Sequence, residues 1–211
     1  MKKIVAFAAL VVMVLMVLQL YVNNRNANPD KYLLSVAEFR QQKDEYLRTS
    51  PDSPFGNTGR FKSLYYFDAN PKFKIDAPLR LLRDTSSFFI RMSNGTKERF
   101  RRYGFVVLPL DSLRDTLFIY QTCPPDGGKP HLFAPFTDAS NGNGTYEGGR
   151  YLDIEQKAQG RITVDFNFAY NPYCVYNYNY SCPIPPAENH LRAAIIAGEK
   201  NYPHKKVPRR K

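Results

Sequence analysis

The chain has 211 residues, of which 43% are hydrophobic and 14% aromatic, a composition that excludes global disorder. The formal net charge is +11, but the basic residues Lys2 and Lys3 and the six in the tail from Lys200 to Lys211 leave only +3 for the rest of the chain. A protein that binds nucleic acid would carry its excess positive charge on a face of the domain, so this class of function is excluded.

The N-terminus carries an apolar run from Ile4 to Val22, whose 19 residues approach the roughly 20 that a helix needs to cross a membrane. The residues after it are a poor site for a signal peptidase, so residues 1–22 are predicted to be an uncleaved anchor rather than a cleaved signal peptide. A buried helix of a soluble protein is the least favoured alternative, because the run has no polar face. Lys2 and Lys3 predict a single-pass protein of the bacterial cell membrane, whose domain faces the periplasm or the cell exterior.

A polar linker is predicted at residues 23–34, and one helix follows it. Ser35 and Glu38 have the spacing of a capping box, which predicts the start of a helix. Apolar side chains at helical spacing then extend the prediction over residues 36–48. Pro51 ends the helix and opens a stretch rich in turns.

The middle of the chain has the pattern of short strands. Apolar or alternating runs predict strands at residues 64–67, 73–75, 79–82, 87–92, 97–108, 113–121, 131–136, 145–154 and 161–168. Asn94-Gly95 is typical of a hairpin turn. Residues 188–197 predict a closing helix that Gly198 ends.

These elements predict a mostly β (α+β) fold, an antiparallel sandwich or partial barrel with a helix at each end. Residues 35–200 form one domain, without internal repeats. The basic tail at residues 201–211 is interpreted as a disordered, solvated terminus. The alternative for the tail is contact with anionic lipid or another acidic surface of the envelope.

The segment from Asp165 to Asn189 is the most unusual part of the chain, because its 25 residues include five Tyr, five Asn, four Pro and two Cys. This mixture predicts an irregular, aromatic-lined segment, and such segments on a rigid scaffold often carry function. Asp165, Asn167, Tyr170 and Asn171 form a polar series within it. They either line a ligand site or shape the turn before the next proline. Asn189 is either a further site residue or a residue of a helix cap.

Seven residues separate Cys174 from Cys182, and Cys123 lies apart from both. In an oxidising compartment the two would form a disulfide, which is the preferred interpretation; free thiols come second. A shared metal comes third, because two thiols need further ligands and the chain has only three His. No metal site is therefore predicted. The chain also lacks the sequence motifs of nucleotide and cofactor sites, so no cofactor is predicted.

Arg150 follows Gly148-Gly149, at which the backbone can turn or approach another group closely. In a pocket, its planar guanidinium would suit a carboxylate or a phosphate. The favoured alternative is structural: the glycines form a β-bulge and Arg150 pairs with an acid such as Asp165 or Glu155.

Four motifs, GGRYLD, DFNFAYNPYC, SCPIPPAENHL and AGEK, resemble the uncharacterised family catalogued as domain of unknown function 1684. The resemblance runs from the helix near Phe39 to Lys200. It implies no activity, substrate or cofactor. The positions characteristic of the family are Gly149, Arg150, Tyr151, Asp165, Asn167, Tyr170, Asn171, Pro172, Cys174, Cys182, Pro183, Pro185, Pro186, Asn189, Gly198 and Glu199.

The leading hypothesis is a membrane-anchored domain that binds a small polar, anionic or sugar-like ligand, with segment 170–180 as one wall of the pocket. The predicted ligand-binding residues are Arg150, Tyr151, Asp165, Asn167, Tyr170, Asn171 and Asn189. One alternative is a hydrolase in which Asp165 is the general base and Arg150 stabilises developing negative charge. Another is a scaffold protein that docks to an envelope complex through an exposed apolar patch.

Overall fold

The computed structural model describes residues 29–84, 86–110, 113–124, 127–156 and 160–209, with side chains from residue 31 onward. The predicted anchor at residues 4–22 lies outside the described residues. Within the described part of the chain, no helix is long and apolar enough to span a membrane.

The first element of the described residues is helix α1, Pro29–Thr49, which begins inside the predicted linker. Proline is favoured in the first turn of a helix because its missing N–H has no intrahelical partner there. The predicted start at Ser35 was wrong: the Ser35 hydroxyl donates to the Tyr32 carbonyl at 2.7 Å within the helix. Val36 and Leu47 are fully buried and attach the helix to the rest of the domain.

Nine strands follow among the residues that the structure describes, and the prediction of a mostly β, antiparallel domain is confirmed. The strands are β1 (Lys74–Pro78), β2 (Arg80–Leu81), β3 (Ser87–Arg91), β4 (Lys97–Leu110), β5 (Leu113–Thr122), β6 (Leu132–Asp138), β7 (Arg150–Ile154), β8 (Arg161–Asp165) and β9 (His190–Leu191). The turn at Asn94-Gly95 joins β3 to β4, and Gly95 has a φ of 90°. The predicted strand at residues 64–67 is absent from this described region, in which Tyr66 forms only an isolated bridge with Glu199.

The strands form two sheets that share one hydrophobic core. The larger sheet has seven strands in the order β2-β4-β5-β6-β7, with β3 also paired to β4 and β9 paired in parallel to β6. The smaller sheet pairs β1 with β8. Ala77, Ile162 and Val164 of the small sheet pack in the same cluster as Val106 and Leu117 of the large one. Burial of these side chains is the main stabilising contribution.

The predicted closing helix at residues 188–197 was wrong. A 3-10 turn (Ala187–Asn189) and β9 take its place, and residues 191–197 are alternately buried and exposed. This period of two is that of an extended chain. Carboxylates of the sheet hold the segment: Asp115 accepts from the Ala193 N–H at 3.2 Å and Asp138 from the Ile195 N–H at 3.0 Å. The backbone therefore finds its acceptors on neighbouring side chains rather than in a helix.

The basic tail is held against the domain at Val207, a contact that the interpretation of the tail as a solvated terminus did not include; the other residues of 201–209 are exposed or half-buried. The Val207 side chain is 7% exposed. Its N–H donates to the Tyr176 carbonyl at 2.7 Å, and its carbonyl accepts from the Tyr178 N–H at 3.1 Å. Contact between the tail and an anionic surface stays a prediction.

Candidate functional site

Arg150 is completely buried and lies away from solvent. Its Nη2 donates to Asp138 Oδ2 at 3.0 Å and to the Ile195 carbonyl at 2.8 Å. Its Nη1 donates to the carbonyls of Ala197 at 2.5 Å and Glu199 at 3.2 Å. Burial lowers the pKa of Arg150, and the neighbouring Asp138 carboxylate opposes that shift. The guanidinium therefore clamps the extended C-terminal segment onto β6 and β7.

The predicted acid partners of Arg150, Asp165 and Glu155, were wrong, because the partner is Asp138. Its Oδ1 also accepts from the Ser140 N–H at 2.8 Å and the Ser140 hydroxyl at 2.5 Å. Both members of the ion pair have fully buried side chains. Arg150 thus has no solvent-reachable face, and the hydrolase alternative lacks the pocket that it required Arg150 to share with Asp165.

Asp165 and Asn167 belong to a separate network that attaches helix α1 to the end of β8. Asp165 accepts from the Tyr32 hydroxyl at 2.9 Å and caps the 3-10 turn Phe166–Phe168 through the Asn167 N–H at 3.1 Å. The fully buried Asn167 amide donates to the Tyr32 hydroxyl at 2.8 Å and accepts from the Asn70 N–H at 2.8 Å. The Asp165 cap is a local backbone contact of the kind that the structural interpretation of the polar series described, whereas the bonds to Tyr32 and Asn70 reach distant parts of the chain.

Glu199 organises a third network, and it was absent from the predicted site residues. It is 1% exposed, and it accepts from Lys43 Nζ at 2.5 Å, the Tyr176 hydroxyl at 2.5 Å and the Asn171 N–H at 2.8 Å. The Asn171 amide in turn donates to the Lys200 carbonyl at 2.9 Å. A buried carboxylate with this many donors is fully compensated. The AGEK motif was the available sequence signal for it.

Asn189 lies in the core and joins two strands. Its Oδ1 accepts from the Phe118 N–H at 2.8 Å, and its Nδ2 donates to the carbonyls of Phe118 at 2.9 Å and Pro135 at 2.8 Å. The side-chain amide thereby forms hydrogen bonds with the backbone of both β5 and β6, as a peptide group of a neighbouring strand would.

Two of the predicted residues, Tyr151 and Tyr170, line an open cleft of about 480 Å³. The cleft lies between the large sheet, segment 170–183 and helix α1. Its aromatic lining consists of Phe39, Phe100, Phe133, Tyr151, Tyr170, Tyr173 and Tyr180. Segment 170–180, which includes Tyr170, therefore forms one wall of the cleft, and the Tyr151 ring packs against it. Tyr178, which does not line the cleft, is 54% exposed.

The rings of the cleft hold one another in fixed orientations. Phe133 and Tyr151 meet edge to face at 5.9 Å between centroids, as do Tyr151 and Tyr170 at 5.9 Å. Tyr173 and Tyr180 pack in the same way at 5.3 Å. Such pairs add stability beyond the burial of their area. The aromatic surface is therefore preorganised.

Hydrogen bonds fix the phenols of the cleft. Tyr170 donates to Asp153 Oδ1 at 2.8 Å, and Tyr151 donates to the Pro183 carbonyl. Burial raises the pKa of both phenols above the ordinary value, so both stay protonated at neutral pH.

The charged residues of the cleft present carboxylate hydrogen-bond acceptors to a ligand, rather than unpaired cations. Glu98 and Asp153 contribute carboxylates, and both residues are exposed. Lys43 is the one Lys or Arg among the described lining residues, and its Nζ is paired with Glu199 at 2.5 Å and lies 4.6 Å from the Tyr170 ring centroid. His131 adds a ring that contacts the Thr122 hydroxyl at 3.1 Å. A ligand here meets aromatic surface and carboxylate oxygens.

Cys174 and Cys182 belong to segment 170–183 and lie next to each other. Both are free thiols in this structure, as is Cys123. The Cys174 N–H donates to Cys182 Sγ at 3.2 Å. Cys182 also lines the cleft.

Comparisons with known proteins agree with the sequence resemblance. The family described as "Protein of unknown function (DUF1684)" matches residues 59–200, a range that begins after the predicted start near Phe39 and ends at the expected Lys200. The solution NMR structure of an uncharacterized protein from Haloarcula marismortui is similar, with 30% sequence identity and a TM-score of 0.62; the match covers 81% of this chain and 95% of that chain. None of the curated proteins compared with the chain matches it. The chain belongs to the DUF1684 family of proteins of unknown function.

Proposed function

We propose that the domain binds a small, neutral, polyhydroxylated ligand of the sugar class in the aromatic cleft. One observation carries the proposal: preorganised rings and exposed carboxylates line the same open cleft. The apolar C–H face of a sugar ring packs on aromatic side chains, and its hydroxyls donate to carboxylate oxygens. The cleft is large enough for a small ligand of this kind.

The leading hypothesis from the sequence also allowed an anionic ligand, which is not part of this proposal. Arg150 was the group expected to bind an anion, and it is occupied by Asp138 and backbone carbonyls. Lys43 is occupied by Glu199. An anion in the cleft would instead face Glu98 and Asp153, and like charges repel.

The proposal includes attachment to the cell membrane through residues 4–22, with the domain on the outer side. The apolar run and the two lysines before it support this location. A binding domain at this location would meet sugars of the envelope or of the medium.

Binding is tested by isothermal titration calorimetry of the purified domain with a panel of neutral mono- and disaccharides. We expect heat from at least one sugar and about a tenfold weaker affinity for Asp153→Asn, because the amide offers one acceptor oxygen in place of two. Tyr180→Ala should also weaken binding, since it removes one aromatic ring from the wall that segment 170–180 forms. Tyr178→Ala is the matched control, because its ring is exposed outside the cleft.

Sulfate, glucuronate and tetramethylammonium serve as competing ligand classes in the same titration. Heat from the anions alone, or from the quaternary ammonium alone, would contradict the proposal. An equal loss of sugar binding in Tyr178→Ala would also contradict it, because the aromatic requirement would then lie outside the cleft.

A further inference from the structure

Cys174 and Cys182 are held by two different parts of the domain. Cys182 is fixed to the turn between β3 and β4: its N–H donates to Ser93 Oγ at 3.0 Å, and its carbonyl accepts from the Ser93 N–H at 2.8 Å. Cys174 lies in the 3-10 turn Tyr173–Val175. The bond from the Cys174 N–H to Cys182 Sγ, at 3.2 Å, joins the two supports. Cys182 Sγ therefore lies against the backbone of Cys174, and the two side chains are within hydrogen-bonding reach of each other although no covalent bond joins them.

The loop between the two cysteines supports two other features. Its Tyr176 and Tyr178 form the backbone bonds that hold Val207 of the tail. Its Tyr180 lines the cleft. Any change that tightens or loosens this loop acts on the tail and the cleft together.

The two thiols are electrostatically unequal. The hydrogen bond from the Cys182 thiol lowers the pKa of Cys174 to about 7; burial opposes this shift, and Ser93 and the positive charge of Lys206 assist it. Cys182 is 8% exposed, and its position as the donor of that bond keeps its pKa above the ordinary value. Cys174 is only half-buried, so the group with the greater thiolate character is also the more accessible one.

We propose that Cys174 and Cys182 form a reversible redox site that exchanges with small-molecule disulfides such as oxidised glutathione. The Cys174 thiolate attacks one sulfur of the disulfide, forms a mixed disulfide and releases one small thiolate. Cys182 then loses its proton, and its sulfur attacks the Cys174 sulfur and expels the second small thiolate. The protein loses two electrons, and the small disulfide is reduced to two thiols.

The inference goes beyond ligand binding and does not depend on it. Oxidation closes residues 174–182 into a covalent ring. This loop contains Tyr180 of the cleft and holds Val207 through its backbone. A short cross-link restricts the unfolded chain and tightens the loop. The oxidised form should therefore hold the tail more firmly than the reduced form.

The test is mass spectrometry of the intact, reduced, full-length chain after incubation with oxidised glutathione at neutral pH. The wild type and Cys123→Ser should each lose two hydrogens and retain no glutathione at the pair. Cys182→Ser should accumulate a mixed disulfide at Cys174, because the resolving thiol is missing. Cys174→Ser should react roughly tenfold more slowly at position 182, because that thiol is buried. A reductant should restore the starting mass.

Three results would overturn the inference. The first is a pair that stays reduced in excess oxidised glutathione while the folded protein remains intact. The second is a wild-type chain that retains glutathione at Cys174 without closing. The third is a disulfide mapped by peptide analysis to Cys123. None of these readouts involves the sugar titration, so this inference and the proposed function can fail separately.

Discussion

Replacing Arg150 with Met is expected to lower the free energy of unfolding by about 3–5 kcal/mol, because Asp138 would be left as a buried, unpaired charge. The side chains of the pair are fully buried and 3.0 Å apart. Three backbone carbonyls of the C-terminal segment would also lose their donor. Equilibrium unfolding in urea measures the change.

Arg48→Met is the matched control for this variant. Arg48 also forms an ion pair at 3.0 Å, with Glu45, but both side chains are more than half exposed. Exposed pairs of this kind contribute about 0–1 kcal/mol. If Arg150→Met were as stable as Arg48→Met, Arg150 would not be the clamp that the structure indicates, and its assignment as a scaffold residue would be wrong.

Gly198→Ala is expected to destabilise the domain by about 2–5 kcal/mol, from backbone strain together with overpacking. Gly198 has a φ of 74°, and an added Cβ would lie 2.6 Å from the carbonyl oxygens of both Ala169 and Phe166. Backbone atoms of this kind cannot move aside cheaply. The same urea experiment measures the effect.

Gly95→Ala separates the two contributions. Gly95 has a φ of 90° in the β3–β4 turn, but an added Cβ there meets nothing within 4 Å. Its cost should therefore be the backbone strain alone, about 1–2 kcal/mol. Equal losses in the two variants would show that close packing around Gly198 contributes nothing, contrary to the 2.6 Å approach of the Ala169 and Phe166 carbonyl oxygens.

The sequence predicted the β3–β4 hairpin and the long strands β4 and β5 well, because alternation and the Asn94-Gly95 turn are local signals. It failed for residues 188–197, since the composition of that segment suits a helix. The carboxylates that hold its backbone extended, Asp115 and Asp138, come from distant strands. The attachment of the tail at Val207 was missed for the same reason: its partners lie in the Tyr-rich segment.

The candidate site was predicted only in part. Charged residues such as Arg150 and Asp165 have the same appearance in a sequence whether they bind a ligand or close a buried network. The acceptor that decides this for Arg150 is Asp138, which no spacing rule connects with it. Tyr151 and Tyr170 do reach the cleft. Asp153 was visible in the GGRYLD motif, but only the packing of segment 170–183 against the sheet creates a cleft beside it.

The central claim is that ligand binding belongs to the aromatic cleft, whereas Arg150 and Asp165 support the scaffold. Mapping of amide chemical-shift changes by two-dimensional NMR, with the sugar that binds best in the titration, tests it most directly. We predict that the changes cluster at Tyr170, Asp153 and His131 and spare the surroundings of Arg150. Changes centred on Arg150 or Asp165, with the cleft unaffected, would contradict the claim.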